Sequence, residues 1–202
     1  MDSIKWDMSS STIVRKLSEE AEQLTFAAPH LDKVKQGELL KFHAHINVEQ
    51  LPQGHHLKKA TIFSNVPNGG TWELICDEGT AVGGRGSAPS PIMYFSAGLA
   101  LCMMSHVEML AKLADIKLNS VRLEQKTEFS TTMNFGGIKP EEVFGTGDRV
   151  EMHLIIESDE SEEKLLEFAH CCRQACMSLQ TVACATPVST KLYLNNSERS
   201  FE

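Results

Sequence analysis

The most constraining feature of this chain is the segment from Ser90-Pro91 to Asp115, whose first part, Pro91 to Met104, is almost unbroken apolar sequence. Ser90 supplies an N-cap and Pro91 a proline at the first helical position, so a long helix is predicted there. Its apolar stretch falls short of the ~18–20 residues that span a bilayer, and His106, Glu108 and Lys112 follow at once. The segment therefore reads as a buried helix, and no membrane partner is expected. With Phe95, Leu99 and Met103 it is apolar nearly all round, more than one flanking sheet normally buries, which predicts a homodimer.

On both sides of that helix the apolar period changes to two. Leu40, Phe42, Ala44, Ile46 and Val48 alternate with Lys41, His43, His45, Asn47 and Glu49, the pattern of a half-buried strand. Turns at Pro52-Gln-Gly54 and Pro67-Asn-Gly-Gly70 lead to strands around residues 60–63 and 72–76, an antiparallel meander. After the helix, Val121, Leu123, Thr127 and Phe129 mark one long strand and Val150, Met152, Leu154 and Ile156 another, linked through Gly136-Gly137 and Gly147. A second helix begins among Asp159, Glu160, Glu162 and Glu163, acids that suit its positive end. Its stripe is Leu165, Ala169, Cys172, Cys176, Leu179 and Ala183; Pro187 ends it, and residues 188–194 form a last strand. Near the N-terminus, Ile13, Leu17, Ala21 and Leu24 follow Ser9-Ser-Ser at helical spacing and precede Pro29, predicting an amphipathic helix. The fold class that follows is α+β, antiparallel sheet packed around two long helices.

Charge narrows the partners. Nineteen basic against 27 acidic residues leave a net charge of −8 over 202 residues, a surface that repels phosphate backbones and anionic lipid. No nucleic-acid partner is expected, and small neutral ligands remain. The opening Met1-Asp-Ser-Ile-Lys-Trp-Asp lacks a secretory pattern, so a cytoplasmic location is expected. In that compartment the six cysteines, Cys76, Cys102, Cys171, Cys172, Cys176 and Cys184, are read as thiols.

Cys102 and His106 are one helical turn apart on one face. The imidazole can take the thiol proton or, when charged, stabilise the thiolate, the form that reacts with peroxides, disulfides and electrophiles. The plainer reading of a buried cysteine is a small inert hydrophobe. Cys171, Cys172 and Cys176 fall on or beside an apolar stripe and read as packing. With His170 they do not suggest zinc, because adjacent helical positions diverge by about 100° and no Cys-x-x-Cys pair is present. His43 and His45 share a polar strand face and read as solvated. No metal and no resident cofactor are expected.

Asp77-Glu78-Gly79, Gly83-Gly84 and Ala88-Pro89-Ser90-Pro91, running into Phe95-Ser-Ala-Gly-Leu-Ala-Leu-Cys102, resemble the signature segment of the OsmC/Ohr family. That family places a peroxidatic cysteine in its central helix eleven residues after the proline, the spacing of Pro91 and Cys102. A second landmark, a Cys-Pro-Val-Ser-type motif, has its counterpart here in Thr186-Pro187-Val188-Ser189. The resemblance implies an OsmC-like domain over residues 37–202 behind an N-terminal helical extension, 1–36, in an intertwined homodimer. It also implies reduction of organic or lipid hydroperoxides through Cys102 in an oxidative or osmotic stress response, with an external dithiol as reductant. Two departures stand out. Ile92 and Met93 replace the family glutamate that orients an arginine, leaving Arg85 as the nearby candidate cation; Thr186 replaces the resolving cysteine. Cys184 is favoured as the substitute, with Cys176 the alternative. A non-catalytic relative that binds a small hydrophobic ligand or senses redox state is the competing reading.

Overall fold

The period-two segments form the predicted meander, and a fourth strand joins it that the pattern does not predict. The computed structural model describes residues 13–18, 35, 37–52, 56–66, 69–133 and 138–199. They divide into two compact units on either side of the Tyr94–Phe95 bond. In the first, β1 (Val14–Ser18), β2 (Ala44–Gln50), β3 (Lys58–Ser64) and β4 (Thr71–Cys76) make one antiparallel sheet in the order β1-β4-β3-β2. Thr71, Glu73, Ile75 and Cys76 of the central strand β4 are buried. At the edge, β2 is exposed along its whole length, Ile46 and Val48 included, where a half-buried strand is predicted.

The predicted N-terminal helix is corrected over Val14–Ser18, which pairs with β4 instead. Cross-strand contacts override the helical spacing of Ile13 and Leu17. Arg15 meets the buried Glu73 at 2.8 Å, and the Lys16 ammonium lies 5.8 Å from the centre of the Trp72 ring. Ala21, Leu24 and Pro29 lie outside the described residues, as do Gly54, Pro67 and Gly136-Gly137.

Helix α1 (Pro91–Leu113) begins in the first unit and runs through the second. By length and composition it is long and apolar enough to cross a membrane, which the shorter apolar run does not suggest. In the second unit β5 (Ser120–Thr131) and β6 (Gly145–Glu157) form a long antiparallel pair. Register aligns Val121 with Ile156, Leu123 with Leu154 and Thr127 with Val150, so the two apolar faces coincide. Met103, Val107 and Ala111 of α1 pack with Phe168 and Cys172 into one core, flanked by Leu123, Met152 and Leu154.

The predicted second long helix is two helices, α2 (Glu162–Ala175) and α3 (Met177–Ala183), separated by Cys176 alone. Ser161 caps α2 by accepting from the Lys164 N–H, and Glu162 and Glu163 fill its first turn as expected. The last strand is shorter than predicted: β7 (Leu192–Leu194) turns back through Asn195-Asn196, both at positive φ, into β8 (Ser197–Arg199). Among the described residues the architecture is antiparallel sheet with three helices, an α+β fold.

Candidate functional site

In the first unit, the loop between β4 and α1 is organised by one carboxylate. Asp77, 2% exposed, accepts hydrogen bonds from the N–H groups of Glu78 (2.8 Å), Arg85 (3.2 Å) and Ser87 (3.0 Å) and from the Ser87 hydroxyl (2.7 Å). Burial alone would raise its pKa. The bonds from Ser87, Glu78 and Arg85 win and hold it below the usual aspartate range. Gly84 is required for the fold-back, since a Cβ there would lie 2.0 Å from the Glu78 carbonyl oxygen. The Tyr94 hydroxyl donates to the Ile75 carbonyl at 2.6 Å, tying the first turn of α1 to β4. The Arg85 side chain is free of this network; its backbone serves Asp77 and the residue is exposed.

In the second unit, α1 carries Cys102 and His106 on its inward side, with His106 only 8% exposed. The Cys102 Sγ lies 3.8 Å from His106 Nδ1, and that nitrogen donates to the Cys102 carbonyl at 2.8 Å. Expected from spacing, this thiol–imidazole neighbourhood is present.

Cys176 completes the group. Extended backbone (φ −68°, ψ 100°) makes it at once the C-cap of α2 and the N-cap of α3, and its side chain is fully buried. The sulfur atoms of Cys102 and Cys176 and a ring nitrogen of His106 all lie within 4.8 Å of one another. Burial pushes the Cys102 thiol up. Hydrogen bonds from the Ser178 hydroxyl and N–H, the Cys176 thiol and the Met177 N–H outweigh it, and the net shift is downward. Cys176 moves the opposite way: burial raises its pKa, bonds from the Leu179 and Ser178 N–H groups oppose, and the Cys102 thiolate adds to the rise. The two neighbouring thiols are thus shifted in opposite directions.

Cys184, the favoured partner on sequence grounds, is not in this group. It caps the far end of α3, exposed, with its Sγ 3.6 Å from Gln180 Oε1. Eight helical residues place it about 12 Å along the axis from Cys176. Sequence reasoning took Cys176 chiefly as packing because the one-residue break keeps Cys172, Cys176 and Leu179 in helical phase. Cys172 does behave as packing: it is fully buried, and burial, with Cys171 adding, pushes its thiol up to about 11.

The same unit holds a groove of about 690 Å³, walled by Phe95, Met103, Phe129, Met152, Leu179 and Val182, with Arg149 and Arg173 among its polar residues. Met103 and Leu179 are the sequence neighbours of Cys102 and Ser178.

The chain is thus an antiparallel α+β protein whose core helix places Cys102 against the buried Cys176. The family described as OsmC-like protein matches residues 84–191, more than half of the chain, and the protein belongs to that family. Among solved structures, an OsmC-like protein from Mycoplasma pneumoniae is similar at 17% identity and a TM-score of 0.51, covering 71% of this chain and 89% of its own. An OsmC-like hydroperoxide resistance protein from Jannaschia sp. CCS1 gives 18% identity, a TM-score of 0.49 and coverage of 78% and 95%. At 17% identity the likeness to the Mycoplasma protein is one of fold. No curated protein matches the chain.

Proposed function

We propose that this protein is a thiol-dependent peroxidase that reduces organic hydroperoxides, with Cys102 as the attacking and Cys176 as the resolving residue. The observation that carries the reading is the convergence of the two sulfurs within 4.8 Å of each other. The Cys102 thiolate attacks the terminal peroxide oxygen, the O–O bond breaks, and the alkoxide leaves as alcohol after taking a proton. Cys102 is then a sulfenic acid. The Cys176 thiol attacks that sulfur, hydroxide leaves as water with the Cys176 proton, and a Cys102–Cys176 disulfide remains. An external dithiol reduces it by exchange. Ser178 acts as a donor toward the sulfur, while the His106 Nδ1–H is taken by the Cys102 carbonyl. A compensating-cation role for Arg85 rests on sequence alone; Arg85→Ala tests it through KM for the hydroperoxide.

Homodimer formation belongs to the same proposal. In the single chain α1 leaves Leu101, Met109 and Leu113 exposed at 68%, 57% and 81%, surface that a second copy would cover. A cytoplasmic location, where reducing dithiols are available, is part of the reading.

The test is intact-protein mass after one equivalent of an alkyl hydroperoxide. Wild type loses two hydrogens as the disulfide forms, Cys176→Ser gains one oxygen, and Cys102→Ser is unchanged. Equal peroxide consumption by wild type and Cys102→Ser overturns the proposal. The apolar groove favours one second reading, a non-catalytic binder of a small hydrophobic molecule, which that result would leave standing.

A further inference from the structure

Cys102, His106 and Cys176 are three metal-ligating side chains converging on one point in the second unit, and nothing in the peroxidase chemistry requires an imidazole at that distance from both sulfurs. We infer that this trio is a binding site for a thiophilic d10 cation, with Zn²⁺ as the representative, held by two thiolates and one imidazole with a fourth position open.

The geometry supports it. Tetrahedral zinc with Zn–S near 2.3 Å and Zn–N near 2.0 Å needs ligand atoms about 3.6 Å (S to N) and about 3.8 Å (S to S) apart. Here Cys102 Sγ and His106 Nδ1 are 3.8 Å apart, and no two of the three ligand atoms are separated by more than 4.8 Å. Closing on an ion therefore shortens these separations by at most about 1.2 Å, within the reach of side-chain torsions. Two ligands come from adjacent turns of α1, whose backbone is rigid, and the third from the one-residue break between α2 and α3.

Ligation by Nδ1 displaces the proton now given to the Cys102 carbonyl, and Nε2 takes a proton in its place. That carbonyl is not orphaned, because within α1 it also accepts the His106 backbone N–H, the ordinary i to i−4 bond. The balance is Zn²⁺ plus two thiols and a neutral imidazole giving the bound ion and two protons. Sulfur and imidazole donors without a carboxylate select zinc or Cu(I) over magnesium, calcium or manganese. Three protein ligands with a fourth position left for water or another small ligand is the arrangement of an open site, not of a closed structural one.

The site uses the same sulfurs as the proposed peroxidase but none of its redox steps, so the test omits peroxide and either proposal can fail alone. Reduced, chelator-treated protein is titrated with Co²⁺ and then Zn²⁺. One Co²⁺ per chain should bind with a thiolate-to-cobalt charge-transfer band and tetrahedral visible bands, both lost on adding Zn²⁺. Cys102→Ser and Cys176→Ser should abolish the charge-transfer band or halve it. His106→Ala should weaken Zn²⁺ by more than about 100-fold, beyond the cost of losing an outer partner of a ligand. Cys171→Ser and Cys184→Ser should bind as wild type. Because a buried variant can fail to fold, wild type supplies the deciding arm: Zn²⁺ should protect the partly exposed Cys102 from iodoacetamide while Cys171 and Cys184 stay reactive. Absence of a charge-transfer band, equal labelling of Cys102 with and without Zn²⁺, or binding lost in Cys171→Ser or Cys184→Ser overturns the site.

Discussion

Oxidising the thiol pair should make the protein measurably more stable, and the size of the gain follows from where the cysteines sit. A Cys102–Cys176 bond closes a loop of about 75 residues, which in the chain-entropy treatment removes about 15 cal/mol/K from the unfolded ensemble, or about 4.5 kcal/mol at 25 °C. The sulfurs start within 4.8 Å and must reach about 2.05 Å, so some native-state adjustment offsets part of that gain. A net stabilisation of about 3–4 kcal/mol should raise Tm by on the order of 10 °C. The assay is thermal unfolding of peroxide-oxidised and dithiol-reduced protein, with peptide mapping of the oxidised sample. Cys184→Ser should keep the whole shift, and Cys176→Ser should lose it. An oxidised wild type no more stable than the reduced one, or a map joining Cys102 to Cys184, refutes the reasoning.

Other outcomes follow from the same side chains. Asp77→Ala leaves three N–H groups and a hydroxyl without their acceptor and should cost about 3–5 kcal/mol by urea unfolding, with Asp77→Asn intermediate. Since folding lowers the Asp77 pKa, its contribution is present above the unfolded value near pH 4 and is lost as pH falls through the folded value. Wild type should therefore lose stability below pH 4 more steeply than Asp77→Asn. Gly84→Ala drives a Cβ to 2.0 Å from the Glu78 carbonyl oxygen and should cost about 3 kcal/mol or more, read by the same unfolding curves. Ser178→Ala removes a hydroxyl donor from the Cys102 thiolate, and in metal-free protein it should slow iodoacetamide labelling of Cys102 at neutral pH by about 10-fold. An unchanged rate would separate Ser178 from the sulfur.

Much of the scaffold is legible because burial writes itself into spacing. The inward faces of β5 and β6, the acidic first turn of α2 and the proline start of α1 each follow from residue type and period. Cys102 and His106 are legible as a pair for the same reason, four residues on one helix being a fixed distance. What the sequence hides is contact without local signal. β1 carries helical spacing, and its strand form goes with pairing to β4 and with contacts across the sheet such as Arg15 to Glu73. Cys176 stays in phase with Cys172 and Leu179 through the helix break, so no interruption of the stripe reveals it. Thr186-Pro187-Val188-Ser189 drew attention to the exposed Cys184, at the opposite end of α3 from the buried Cys176.

The single residue between α2 and α3 has a mechanical consequence. Drawing the Cys176 sulfur up to about 2.8 Å toward Cys102 takes whatever its side-chain torsion cannot supply from the two backbone torsions of that residue, and α3 is a stiff arm hung from them. The arm spans seven residues, about 10 Å. Leu179, Val182 and Ala183 ride on it, and all three form wall of the groove. Any backbone rotation that bond formation draws at the pivot displaces the wall, the more so the farther from Cys176. The redox state of two sulfur atoms would then become a shape that a molecule resting in the groove can feel.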